Sequence, residues 1–113
     1  MKKSVIVRSS FEARHAWLGC PFPEVAFLQF PHRHLFYVEV KVSVSHSNRE
    51  VEFFILKGHL DSYLDTLKGK DLGSLSCEMI AEAIGEFLVK GTGYIVVSVK
   101  VFEDNENGAE VEF

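Results

Sequence analysis

The chain of 113 residues has few cysteines, no excess of basic residues and no long apolar run. Cys20 and Cys77 lie far apart and form no disulfide framework, so we expect reduced thiols and a cytoplasmic location. Twelve Lys and Arg against sixteen Asp and Glu give a net charge of −4, which argues against nucleic acid as the main ligand. No apolar stretch reaches the roughly 18 residues of a membrane-spanning helix, and the first residues lack the apolar stretch of a signal peptide. We therefore expect a soluble protein without a membrane partner.

The composition is 47% hydrophobic and 25% charged, which is typical of a globular domain and excludes disorder and low-complexity classes. The sequence contains no internal repeat, no linker-like stretch and no shift in composition. At this length we expect one domain over residues 1–113 with one hydrophobic core.

Alternation of apolar and polar residues predicts four strands, and apolar stripes at helical spacing predict two helices. Between the first two strands, residues 18–31 contain three prolines and are predicted to form a loop. The order strand, strand, helix, helix, strand, strand favours an α+β fold with two helices packed on one face of an antiparallel sheet. The predicted strands span residues 3–17, 34–46, 94–103 and 109–113, and the predicted helices span 51–68 and 76–91.

The patterns also predict which side chains are buried. Phe54, Leu60, Leu64 and Leu67 form the expected stripe of the first helix. Ser76 is the expected N-cap of the second helix, and Gly91 is expected to end it. In the third strand, strict alternation places one set of residues on one face and the even-numbered residues on the other. The first set is Ile95, Val97, Val99 and Val101. The apolar stripe expected on the second helix is Ile80, Ala83, Ile84, Phe87 and Leu88.

His32 and His34 stand two residues apart at the entrance to the second strand, so both imidazoles fall on one face. If the first two strands pair, His15 at the end of the first strand can join them. Three neutral imidazoles would leave the fourth coordination position of a bound zinc ion open, as in catalytic zinc sites. The spacing of His32 and His34 alone favours two surface histidines at the start of an ordinary strand. The addition of His15 favours a metal site.

Other polar residues leave alternatives open. Glu103 ends the third strand and is either a solvated carboxylate or a site residue. Cys20 lies in the loop between the candidate ligands and is a nucleophile, a fourth ligand or an inert side chain. Cys77 is expected to pack as a small buried side chain at the start of the second helix. Asp71 is expected to lie on a solvated helix end.

Five segments in the same order resemble the family of 6-pyruvoyltetrahydropterin synthase and 6-carboxytetrahydropterin synthase. Residues 11–15 (FEARH) resemble its F-x-A-x-H segment, and residues 32–34 (HRH) resemble its H-G-H motif. Residues 51–57 (VEFFILK) resemble V-D-F-x-x-L-K at the start of its first helix. Residues 75–81 (LSCEMIA) are similar to the start of its second helix, and residues 99–103 (VKVFE) to the strand that ends in its pterin-binding glutamate.

The resemblance implies a T-fold, in which subunits join their sheets into trimeric barrels that usually stack as hexamers, with active sites between subunits. It also implies zinc as the cofactor and a pterin as the small-molecule ligand. The site residues that it implies are His15, His32 and His34 as zinc ligands, Glu103 as the pterin anchor, and Ser76 and Cys77 as further pterin contacts.

Two catalytic elements of the family have no match at the expected positions. Residues 26–31 contain no cysteine before the first histidine, and residues 68–73 offer Asp71 without a following histidine. Arg33 replaces the central glycine of H-G-H. The catalytic residues therefore remain unassigned, with Cys20 and Asp71 as the candidates.

Three functions remain open at this level. The first is a zinc-dependent carbon–oxygen lyase of the pterin synthase type, acting on dihydroneopterin triphosphate or a related pterin. The second is a diverged, non-catalytic relative that keeps the zinc and a pterin- or purine-like pocket. The third is an oligomeric scaffold with surface histidines.

Overall fold

A computed structural model describes residues 1–113 and contains four strands, two α-helices and one 3₁₀ helix. The predicted α+β class and the four-stranded antiparallel sheet are confirmed. The 3₁₀ helix, Pro23–Gln29, lies in the predicted loop and is kinked at Val25. The strands are β1 (Lys3–His15), β2 (His32–Val44), β3 (Val96–Glu103) and β4 (Asn107–Glu112), and the helices are α1 (Phe53–Leu64) and α2 (Cys77–Thr92).

The sheet has the order β1-β2-β3-β4, and each neighbouring pair is antiparallel. Apolar side chains from one face of the sheet and from both helices form a core cluster of 18 buried residues. Phe36, Val38 and Val40 of β2 contribute to this cluster and are fully or almost fully buried. The side of the sheet that carries these residues is called the helix-facing side below, and the other is called the open side.

The apolar stripe of α1 differs from the prediction. Leu56, Leu60 and Leu64 are buried, whereas Phe54 is 77% exposed. The Glu52 carboxylate accepts hydrogen bonds from the amides of the first turn and starts the helix at Phe53. Phe54 stands six residues before Leu60, which corresponds to about 240° around the helix, so it cannot share that face.

The predicted cap of α2 is confirmed, but the predicted end is not. Ser76 Oγ accepts a hydrogen bond from the Met79 amide at 3.1 Å. The helix continues through Gly91 to Thr92, and Gly93 ends it in the left-handed conformation with φ of 76°. Of the predicted stripe, Ile80, Ala83, Ile84, Phe87 and Leu88, the second and fourth residues are half-buried and the others are buried.

A register shift in β3 overturns the strict alternation predicted there. Val42 pairs with Val96, but the preceding residue, Lys41, pairs with Ser98, so one residue of β3 is extra. As a result the neighbours Ser98 and Val99 are both buried. Periodicity cannot reveal such a bulge, because it depends on the partner strand.

The turn between β3 and β4 is shorter than predicted. It spans residues 104–106, and β4 begins at Asn107, inside the predicted turn. Asp104 and Asn105 both have positive φ angles, 53° and 57°, which these residue types tolerate better than most. The short turn places Glu103 at the end of β3. Neither α-helix has the length and apolar character needed to cross a bilayer.

Candidate metal site and adjoining cavity

The pairing of β1 with β2 brings three histidines to the same end of the sheet. His15 pairs directly with His32, and Ala13 pairs with His34. His32 and His34 continue the even-numbered face of β2 that buries Phe36, so they lie on the helix-facing side. The three residues proposed from the spacing are thus neighbours across two strands.

The three imidazoles surround a common point. The ring centroids of His15 and His32 are 4.6 Å apart, those of His32 and His34 are 4.9 Å apart, and those of His15 and His34 are 5.3 Å apart. All three pairs meet edge to face. Together with Glu103 they offer four ligand atoms that lie within 4.8 Å of one another.

Each imidazole is oriented by a hydrogen bond at Nδ1. The partner is an oxygen that can only accept, so Nδ1 donates a proton and the neutral ring keeps its lone pair at Nε2. Metal-binding histidines commonly have this arrangement. The acceptors are Leu75 O for His15 at 2.8 Å, Phe30 O for His32 at 2.8 Å and Asp104 Oδ2 for His34 at 2.7 Å.

His15 Nε2 is buried and has no hydrogen bond. Glu103 Oε2 lies 2.8 Å from it and 3.6 Å from His34 Nε2, but neither contact has hydrogen-bond geometry. A lone pair and a carboxylate oxygen at this distance repel each other unless a proton or a cation lies between them. Three imidazole ligands suit zinc, and a cation would relieve this repulsion, so the residues present fit the ion that the resemblance implies.

A cavity of about 490 Å³ adjoins the cluster, with His15, His32 and Glu103 in its wall. Ser76 and Cys77, at the start of α2, form another part of the wall. The predicted contacts at the second helix therefore lie beside the predicted metal ligands. The first amides of a helix lack intrahelical partners, so this part of the wall favours acceptor groups of a ligand.

Cys77 is buried, as expected, and is not activated as a nucleophile. Burial, followed by the negative charges of Glu103 and Glu78, raises the pKa of the Cys77 thiol to about 12. The residue therefore contributes a neutral thiol to the cavity wall at physiological pH.

The structure does not bring the two catalytic candidates to this cavity. Cys20 Sγ lies 3.7 Å from Phe22 O and 3.8 Å from Val25 O, and the residue is not part of the wall. Asp71 Oδ1 accepts a hydrogen bond from the Gly73 amide at 2.8 Å, in a segment that pairs with the edge of β1. Asp71 also lies outside the wall.

Sequence reasoning missed the residues that orient the imidazoles, above all Asp104. Its carboxylate accepts a hydrogen bond from His34, which lowers the pKa of Asp104. Once β3 is aligned against β2, the turn residue after Glu103 falls beside Leu35, next to His34. Strand pairing could thus have identified Asp104. The acceptors of His15 and His32 are backbone carbonyl groups, which every residue has, so no sequence pattern indicates them.

No protein-family model matches this chain, and no curated protein matches its sequence. Solved structures with a similar fold include two that match almost the whole chain. One is 6-pyruvoyl tetrahydropterin synthase from Caenorhabditis elegans, with a TM-score of 0.81, 16% sequence identity, and coverage of 100% of this chain and 96% of that chain. The other is an uncharacterized protein from Wolinella succinogenes, with a TM-score of 0.79, 13% identity, and coverage of 99% and 98%. The fold implied by the resemblance is confirmed.

Proposed function

We propose that this protein binds zinc through His15, His32 and His34 and holds a pterin-type ring in the adjoining cavity. The observation that carries the proposal is the cluster of ligand atoms within 4.8 Å, in which every histidine Nδ1 is already hydrogen bonded. Similarity in fold to a pterin synthase supports a pterin as the ligand.

The proposed activity is that of a 6-pyruvoyl- or 6-carboxytetrahydropterin synthase, a carbon–oxygen lyase, on dihydroneopterin triphosphate or a related pterin. The cavity volume is within the roughly 300–1,000 Å³ of small-molecule sites, which supports a ligand of this size. When bound, zinc supplies a Lewis acid that polarises an oxygen of the ligand side chain. Glu103 then orients the ring by accepting hydrogen bonds from its paired N–H donors.

A second candidate function is ligand binding without catalysis. The position of Cys20 and Asp71 outside the cavity wall favours it, because a synthase needs groups that move protons at the ligand. In this case the three histidines and Glu103 keep their roles, but no product forms.

Metal analysis tests the zinc site. Protein purified without chelators should contain one zinc ion per chain, and His32→Ala should lose it. His46→Ala is the matched control, because His46 is exposed and lies outside the cluster. Absence of zinc from the purified protein, with no uptake on addition, would exclude both metal-dependent functions and leave the scaffold.

Incubation with dihydroneopterin triphosphate separates the synthase from the binding protein. Release of triphosphate with a new pterin product supports the synthase, whereas saturable binding without turnover supports the second candidate. Glu103→Gln should abolish pterin binding and retain zinc, and Glu106→Gln in the exposed turn is its control. Loss of zinc from Glu103→Gln would instead make Glu103 a metal ligand. Unchanged turnover in Cys20→Ala and Asp71→Asn would exclude both as catalytic residues.

We also propose that the chain is a single T-fold domain that forms a trimer or a hexamer. The exposed aromatic side chains of Phe22, Phe27 and Phe30 support an interface between copies. Light scattering should give a mass of three or six chains, and a monomer at micromolar concentration would contradict the proposal.

A further inference from the structure

Asp104 connects the turn after β3 to a metal ligand on β2. Its Oδ2 accepts a hydrogen bond from His34 Nδ1 at 2.7 Å, and its Oδ1 accepts one from the Leu35 amide at 3.0 Å. The Asp104 amide in turn donates to Leu35 O at 2.8 Å. Three hydrogen bonds therefore fix both the backbone and the carboxylate of Asp104 against β2.

We propose that Asp104 is a positioning residue for the metal site: it sets the tautomer and the orientation of His34 and increases the affinity of the site for zinc. This inference depends on the metal-binding part of the proposed function and not on catalysis.

Comparison with the other two histidines supports a special role for His34. The Nδ1 partners of His15 and His32 are neutral backbone carbonyls, and only His34 has a carboxylate. A carboxylate draws the Nδ1 proton more strongly and makes Nε2 a better electron donor to a metal. His34 is therefore expected to be the strongest electron donor to the metal among the three ligands.

The conformation of the turn is suited to this contact. Asp104 has a φ of 53°, a region in which aspartate and asparagine are among the few favoured residues other than glycine. Asp104→Asn therefore keeps the turn. The asparagine side chain has one acceptor oxygen instead of two, so it cannot use separate oxygens to accept from Leu35 and from His34. The substitution removes the negative charge beside His34 with little change in shape.

The test is the zinc affinity of Asp104→Asn, measured by competition with a chelator at pH 7.5. We expect affinity to fall by about 10- to 100-fold, the usual scale for partners of metal-binding histidines. The d–d spectrum of bound Co²⁺ should also shift, because it reports the donor strength of the ligands. Glu12→Gln is the control: it removes a carboxylate that pairs with Arg33 at 2.7 Å but does not contact an imidazole.

The outcomes separate this inference from the proposed function. Unchanged zinc affinity and Co²⁺ spectrum in Asp104→Asn would overturn the inference alone, as would an equal loss in Glu12→Gln. Failure of the unmodified protein to bind zinc would overturn both. A second measurement needs no zinc: in the metal-free protein, the nitrogen chemical shifts of the His34 imidazole report which ring nitrogen carries the proton, and Asp104→Asn should change them. Unchanged shifts would show that Asp104 does not set the tautomer of His34.

Discussion

The two sides of the sheet use polar residues in different ways. On the open side, Arg8 pairs with Glu39 at 2.9 Å and Arg33 pairs with Glu12 at 2.7 Å, and both arginines are well exposed. On the helix-facing side, one polar residue, His15, is buried. Water solvates the charged groups of the open side. A buried polar atom is shielded from water and needs a hydrogen-bond partner or a bound ion from the protein or a ligand.

This difference explains where function is expected. Exposed ion pairs contribute little to stability, typically about 0–1 kcal/mol, and many sequences can provide them. An unsatisfied buried polar atom such as His15 Nε2 costs about 1–3 kcal/mol, so it is retained where a ligand repays that cost. The end of the sheet that carries His15 is therefore where we expect function.

The reactivity of the two cysteines should show the largest contrast between buried and accessible positions. Because the pKa of Cys77 is raised from 9.0 to about 12, its thiolate population at pH 8 is roughly 1,000-fold below that of the unfolded chain. Alkylation at pH 8 should label one thiol per native chain, Cys20, and two in guanidinium chloride. Because the folded state disfavours the thiolate, the free energy of unfolding should be unaffected by Cys77 below pH 9 and should fall as the pH rises toward 12.

The stripe of α1 can be tested by comparing two apolar side chains of one helix. Leu60→Ala should lower the free energy of unfolding by about 2–5 kcal/mol, because Leu60 is fully buried in the core. Phe54→Ala should change it by less than about 0.5 kcal/mol, because Phe54 is 77% exposed. Urea denaturation of both variants measures these values. An equal loss of free energy of unfolding in both variants would mean that Phe54 packs in the core, as the sequence pattern predicts.

Two glycines of α2 should respond oppositely to alanine. A Cβ at Gly85 would overlap the ring of Phe113, so Gly85→Ala should destabilise the protein by about 1–3 kcal/mol. At Gly91 the nearest atom is 3.8 Å away, and Gly91→Ala should stabilise the helix by about 0.5–1 kcal/mol. Thermal unfolding checks both. In a Phe113→Ala background the loss at Gly85 should disappear, and its persistence would contradict the steric explanation.

The open side should give the smallest effect. Glu12→Gln breaks the pair with Arg33 on the surface, so the thermal midpoint at pH 7 should stay within experimental error. The hydrogen bond from Arg33 lowers the pKa of Glu12 below 4.5, so any contribution of this pair is present above that pH and is lost as the pH falls. A large destabilisation at pH 7 would mean that the open side is covered, as by another subunit.

Local patterns were sufficient for the order of the elements and for the cluster of three histidines. Alternation in β2 placed His32 and His34 on the face of Phe36, and the antiparallel pairing brought His15 to His32. Ser76 was identified as a cap because its side chain bonds an amide only three residues away. Each of these inferences depends on neighbours along the chain or on one strand pair.

Two predictions failed for different reasons. Phe54 has the hydrophobicity of a core residue, but it stands about 240° around the helix from Leu60, so the helical period itself turns it outward. The extra residue of β3 depends on how Lys41 and Val42 of the partner strand are paired. A bulge is set by contacts between strands, so the periodicity of one strand does not contain it.

The sequence by itself determined the α+β class, the helix-facing side of β2 and the three imidazoles of the histidine cluster, because these follow from short repeating patterns. Only the tertiary structure decided which oxygen accepts the hydrogen bond from each Nδ1, including the carboxylate oxygen of Asp104. It also decided that Cys20 and Asp71 lie away from the cavity. The physical reason is distance along the chain. Asp104 and His34 are 70 residues apart, and only the pairing of β3 with β2 brings a carboxylate from a turn to an imidazole on another strand.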